Sequence, residues 1–241
     1  MHSLLLALQF LTRIPLPVYF EPSERQWGHS VLFYPFVGLL IGLMLVLALG
    51  LLGTEQPALK AAMLLILWVG ITGGLHLDGL ADCADAWAGG MSSPERSLAI
   101  MKDPAAGPIA VIWLILVLMV KWAALVEIVK QSDAEALLMV PMLGRLAIMA
   151  LMLTAPYVRP GGLGEKMIVN LPVTLARLSL AAWLICAIWF AGWMPVLVAL
   201  LVWLAIRYLA LRRLGGVTGD VYGAAVELSE AAVLAAVAMY V

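Results

Sequence analysis

Apolar runs long enough to cross a lipid bilayer follow one another along this chain with little sequence between them. A spanning helix needs about 20 mainly apolar residues. Candidates lie at 31–53, 58–75, 105–126, 136–156, 178–192, 194–211 and 222–241. Composition agrees: the chain is 64% hydrophobic and 12% charged, whereas a soluble domain is roughly half apolar and about a quarter charged. One core of 241 residues cannot hide that much apolar surface, so most of it faces lipid. The expected fold is all-α, a polytopic transmembrane helical bundle of about seven spans with short cytoplasmic interfacial helices.

The segments between spans carry their own signals. The fifth and sixth runs are separated by "AGWMP", which reads as a tight hairpin turning at Gly192 and Pro195. Residues 157–177, with Pro160, Gly161, Gly162, Gly164 and Pro172, form the most irregular stretch. Residues 1–20 lack the basic start and small-residue cleavage site of a signal peptide. They read as a retained interfacial helix broken by Pro15 and Pro17. No repeat or long linker divides the chain, so 1–241 is taken as a single membrane domain. A formal net charge of −1 and the absence of a basic run argue against a nucleic-acid partner. Cys83 and Cys186 lie far apart, make no zinc pattern and read as buried free thiols.

Lysine and arginine set the orientation. With the N-terminus inside, the inner segments hold ten of them, among them Arg13, Arg96, Lys102, Arg159 and Arg213. The outer segments hold Lys60, Lys121 and Lys130, and Arg145 lies within a span. Residues 76–104 and 212–221 then share the cytoplasmic side, where they can converge.

The first of these segments, "GGLHLDGLADCADAW" at 73–87, carries three aspartates in eight residues. If 77–89 is helical, Asp78, Asp82 and Asp85 fall at i, i+4 and i+7, within about 60° of one another, while His76 points elsewhere. No basic residue at i±3 or i±4 relieves their repulsion. A solvated acidic face is the plain alternative, but the apolar residues between the acids and the bracketing glycine pairs favour a half-buried helix. A divalent cation resolves the repulsion, and oxygen-only ligands suit Mg²⁺ or Mn²⁺. The next segment begins with Ser93 as N-cap and Pro94 at the first helical position, carries Arg96, and stops before Pro104. Lys102 at its end reads either as an interface anchor or as a phosphate contact.

The second acidic segment, 215–227, includes "GGVTGDVYGAAVE". Thr218 or Gly219 caps a helix in which Asp220, Gly223, Ala224 and Glu227 make one stripe. Helix packing through the small residues is one reading. An acid some 10 Å below the helix start is also a functional candidate. His76 reads as a ligand-orienting group, a base or a structural histidine. Arg13 and Arg145, inside apolar sequence, each call for an anionic partner, either one of these acids or a substrate phosphate. Carboxylate-held metal beside basic residues at a membrane surface suits phosphoryl transfer.

The segments "FLTRIP", "GGLHLDGLADCADA", "MKDPAAGPIAV" and "GGVTGDVYGAAVE", in that order, resemble the cobalamin synthase family, the adenosylcobinamide-GDP ribazoletransferases. The resemblance covers essentially the whole chain. It implies a Mg²⁺-using enzyme of the bacterial inner membrane, its active site facing the cytoplasm. Such an enzyme joins α-ribazole, or α-ribazole 5′-phosphate, to adenosylcobinamide-GDP with release of GMP. The resemblance makes Asp78, Asp82 and Asp85 the metal ligands, with Asp220 and Glu227 completing the site or activating the hydroxyl. Lys102, Arg96 and Arg13 become phosphate contacts. Membrane lipid is the surrounding partner, and a homo-oligomer or contact with other cobalamin-pathway enzymes is compatible with it. Two other classes compete. A CDP-alcohol-type phosphotransferase also uses an aspartate helix, but Leu80-Ala81-Asp82 follows Asp78-Gly79 here in place of an Ala-Arg. A secondary transporter would use intramembrane acids such as Glu227 and Glu230, yet the paired symmetric halves expected of one are missing.

Overall fold

Each helix begins or ends where the sequence supplies a cap or a breaker. The computed structural model describes residues 2–16, 21–53, 55–90 and 93–240. Helix α1 (His2–Leu11) is short and apolar, and Pro17, expected to break it, lies outside the described residues. Helix α2 (Glu24–Ser30) opens on a capping box between Ser23 and Gln26 and runs through one 3-10 turn into α3 (Tyr34–Leu51). Helix α4 (Pro57–Thr72) ends at Gly73 and Gly74, whose φ of +64° and +71° suit glycine. There the chain bends by 88° into α5 (Leu75–Gly89), the aspartate helix. Ser93 caps α6 (Pro94–Ile100) as expected, its side chain accepting from the Arg96 N–H.

Helix α7 (Pro108–Gln131) is followed directly by α8 (Ala134–Thr154), which Asp133 caps. After the irregular stretch, which holds the short α9 (Leu163–Val169), α10 (Val173–Ala191) and α11 (Trp193–Leu214) form the expected hairpin about Gly192. The last helix, α12 (Gly219–Tyr240), is held at its start by Thr218, whose hydroxyl accepts from the Val221 N–H. Among the described residues, six segments are long and apolar enough to cross a membrane, and the bent α4–α5 pair, counted as one span, brings the number to seven. The expected all-α, many-spanning architecture is therefore the observed one. The spans at 178–192 and 194–211 are longer than their apolar runs suggest, and 58–75 stops at Thr72.

Helices α8 and α12 occupy the centre, with α3 packed on α8 and α12 shared among α5, α7, α8 and α11. Helices α10 and α11 are the most exposed spans, turning Leu178, Ile185, Trp189 and Leu201 outward. Large apolar side chains on the outside are what a lipid solvent selects. Cys83 is buried and Cys186 half-buried, both as free thiols.

Charge is handled differently in the interior. Lys121 of α7 bridges Glu227 at 2.5 Å and Glu230 at 2.6 Å, and Arg145 of α8 pairs with Glu230. All four are nearly inaccessible, at 3%, 5%, 1% and 0% exposure for Lys121, Glu227, Glu230 and Arg145. Two cations and two anions cancel, which is how a membrane interior tolerates such groups. This corrects the sequence reading in one place. Lys121 is not in an outer segment, because α7 continues to Gln131 and leaves it in mid-helix over the Trp68 ring. Of the two partners open to Arg145, an acid or a phosphate, it pairs with an acid, Glu230.

Candidate active site

Two acidic segments far apart in sequence meet at one end of the bundle because glycine lets their helices touch. A Cβ on Gly79 would stand 2.8 Å from the Asp220 carbonyl oxygen, and one on Gly223 would stand 2.9 Å from that of His76. Helix α5 therefore lies across the first turns of α12. It also lies across the start of α7, where the Asp85 carboxylate accepts from the Gly107 N–H at 2.5 Å and the Ala110 N–H at 2.9 Å. The Arg213 guanidinium donates to the Trp87 carbonyl at 2.7 Å and ties the end of α11 to the same helix.

A third segment joins them. Tyr157 and Val217 form an isolated parallel bridge, with Val158 N–H donating to the Val217 carbonyl and Val217 N–H to that of Pro156. That short pairing carries Arg159 to the start of α12, where it donates to Asp220 at 2.9 Å. Thr218 donates to the same carboxylate oxygen at 3.3 Å. Burial pushes the Tyr157 phenol above its ordinary value, opposed by Arg159 and reinforced by Asp220, so Tyr157 stays a neutral hydrogen-bonding group.

Two cavities border Asp220 and Arg159. The larger, about 410 Å³, is lined by Asp78 and His76 of α5, by Tyr157, and by Tyr222 and Gly223 of α12. The smaller, about 80 Å³, adds Lys102 and Met101 from the end of α6. A carboxylate–guanidinium pair between two hollows, with a lysine on one side, has the charge pattern of a phosphate-transfer site.

The expected site residues divide accordingly. Asp78 is exposed at the larger cavity. Asp82 is half-buried one turn further on, where the charges of Asp220, Asp78, Arg159 and Asp85 all bear on it. His76 lines the cavity but is buried, with Nδ1 lacking a partner. Lys102 is exposed at the smaller cavity. The other four stand apart. Asp85 accepts one N–H of α7 on each carboxylate oxygen, which caps that helix and sets it apart from Asp78 and Asp82. Among the described residues, no three His, Cys, Asp or Glu side chains form a ready-made metal cage. Glu227 is not at the acidic end; Lys121 holds it within the bundle, so it does not complete the aspartate site. Arg96 is exposed on α6 and lines neither cavity. Arg13 is exposed too, its side chain lying over Gly73 at the α4–α5 corner.

The family model described as cobalamin-5-phosphate synthase matches residues 3–238. The chain belongs to that family. It is 49% identical over 243 residues to the adenosylcobinamide-GDP ribazoletransferase of Stutzerimonas stutzeri, covering 100% of this chain and 99% of the relative. Likeness to the proteins of the same name from Pseudomonas aeruginosa (49%, covering 99% of this chain and 98% of the relative) and Pseudomonas putida F1 (50%, covering 97% of each) is as extensive. No solved structure matches the chain.

For a cobalamin-5-phosphate synthase family chain, sequence reasoning missed Arg159, Tyr157 and Tyr222. Arg159 was counted only as an inner positive charge. Its signal was its position beside Pro160-Gly161-Gly162, in a loop too irregular to be a simple connector. The two tyrosines gave none, since their rings meet only through the bridge at 157 and 217.

Proposed function

We propose that this chain is a Mg²⁺-dependent adenosylcobinamide-GDP ribazoletransferase of the bacterial cytoplasmic membrane, with its active site on the cytoplasmic side. The 3′-hydroxyl of α-ribazole, or of its 5′-phosphate, attacks the cobinamide-side phosphorus of adenosylcobinamide-GDP. A new P–O bond forms as the bond to GMP breaks, and the product is adenosylcobalamin or its 5′-phosphate. The observation that carries this reading is the meeting of Asp78, Asp220 and Arg159 at one cavity, from three distant segments, in a chain that aligns end to end with proteins of that name.

The donor set suits magnesium. Mg²⁺ is commonly held by one or two carboxylates while keeping waters and substrate phosphate oxygens, and Asp78 and Asp82 offer accessible oxygens whose charges repel without a cation. Bound there, the ion would neutralise the pyrophosphate and stabilise the departing phosphate. Asp220 borders both cavities and takes the proton of the attacking hydroxyl. Arg159 and Lys102 meet the phosphate charge from the other side. Glu227 and Glu230, on which a transporter reading rests, are both held in ion pairs. Sidedness is supported by the charge bias: with Lys121 inside the bundle, the outer segments retain Lys60 and Lys130 against ten inner cations.

The test is direct. Protein purified into liposomes and given adenosylcobinamide-GDP, α-ribazole and Mg²⁺ is expected to release GMP. Chelation, or Asp82→Asn in a protein that stays folded, is expected to stop release. Metal-independent turnover, or full activity of the variant, overturns the metal assignment.

A further inference from the structure

We propose that the 410 Å³ cavity is the seat of the ribazole nucleoside. Its flat benzimidazole base would lie against the aromatic walls, and its ribose would turn toward Asp220. This assignment rests on the functional reading above.

The cavity lies at the small end of the ~300–1,000 Å³ range of ligand pockets, which suits a nucleoside better than a corrin macrocycle. Its walls include two stacked aromatic pairs. Tyr157 and Tyr222 have ring centroids 6.2 Å apart and planes 21° apart; Phe10 and Tyr34 have centroids 6.2 Å apart and planes 23° apart. Met152, Met167 and Ile148 add polarisable and aliphatic surface, which favours a flat apolar ring.

Polar chemistry narrows the choice between the two substrates. Two buried lining side chains have a polar atom with no partner: the Tyr222 hydroxyl and His76 Nδ1. A benzimidazole joined to ribose presents one free ring nitrogen, an acceptor that the Tyr222 hydroxyl, enclosed in the wall, would satisfy as donor when its ring turns into the cavity. Guanine presents an amide and an amino group as well, which would draw on Asp78 or Asp220, the carboxylates already assigned to the metal and the reacting hydroxyl. The donor's phosphates are assigned to the charged rim where Asp78, Asp220 and Arg159 meet, with Lys102 reaching it from the smaller cavity. Acceptor nucleoside and activated donor then meet at Asp220, which borders both cavities.

Tyr222→Phe is the discriminating variant, because the hydroxyl it removes has no partner within the protein and its loss leaves folding intact. In lipid nanodiscs, KM is read for each substrate from GMP release, and binding of α-ribazole alone is read by calorimetry. The variant is expected to weaken α-ribazole binding and raise its KM about tenfold, the effect of one lost hydrogen bond. KM for adenosylcobinamide-GDP stays unchanged. Tyr157→Leu, which removes the stacked ring, is expected to act in the same direction. A rise in the KM of adenosylcobinamide-GDP instead, or normal α-ribazole constants in both variants, overturns the assignment while leaving the enzymatic reading intact. Binding of α-ribazole that depends on Tyr222 in a protein releasing no GMP supports the cavity and removes the reaction.

Discussion

Arg159, in the loop after α8, donates to Asp220 at the head of α12 across 2.9 Å, and the pair separates two cavities. The guanidinium is only partly screened, with its side chain 31% exposed against 15% for the aspartate. A phosphate arriving from the open side competes with Asp220 for this cation. Arg159→Ala is therefore expected to lower kcat/KM for adenosylcobinamide-GDP by about 10²-fold, the scale of losing one preorganised charge at a developing anion. Arg159→Lys is expected to recover part of it, since the charge returns without the fork. Steady-state GMP release measures both, and an unchanged Arg159→Ala rate would place the phosphate elsewhere.

Asp85 and Asp82 stand on one face of α5 yet are expected to behave differently. Asp85→Ala removes the acceptor for two N–H groups at the start of α7 and is expected to cost about 0.5–2 kcal/mol of stability. Asp85→Asn, which keeps one carbonyl acceptor, is expected to retain most of the turnover that Asp82→Asn loses. Thermal unfolding in detergent, paired with GMP release, separates a helix cap from a metal ligand.

Lys121 neutralises two buried carboxylates, so Lys121→Met leaves Glu227 and Glu230 with Arg145 alone. The expected loss is about 3–5 kcal/mol, as when one partner of a buried pair is removed. Adding Glu227→Gln to that variant restores charge balance and is expected to recover much of the loss. A double variant no more stable than the single one would show that the network does not act through charge compensation.

Gly223→Ala tests the crossing of α5 and α12. Its Cβ would meet the His76 carbonyl at 2.9 Å, forcing the helices apart at the point that sets Asp78 against Asp220. Activity is expected to fall at least tenfold, because small displacements of a positioned group cost rate steeply. Unfolding temperature should change less than it does in Lys121→Met.

Much of the fold was legible because its signals are local. Apolar length marks the spans, Gly192 marks the hairpin, and Ser93 and Thr218 mark helix starts. Orientation put the two acidic segments on one side, where they could converge, and the contact itself came from Gly79 and Gly223. What escaped depended on the neighbour across the gap. The 3.6-residue period put Asp85 on the stripe with Asp78 and Asp82, and no period shows that the α7 terminus stands opposite it. Lys121 was counted with the outer charges although it falls inside the 105–126 run, and the helix in fact runs on to Gln131. Only the carboxylates of α12 make a lysine at that depth tolerable.

The sequence by itself determined that the chain lives in lipid, which of its ends carries the acids, and which oxygen ligands are available there. These follow from burial cost and helical periodicity, both properties of short stretches. The tertiary structure decided which carboxylates remain free. Asp78 and Asp82 keep accessible oxygens, whereas Asp85 is hydrogen-bonded to the start of helix α7, Glu227 is paired with Lys121, and Asp220 with Arg159. A carboxylate acts through whatever neutralises it, and that partner is set by packing between segments more than 20, and in two cases more than 60, positions apart.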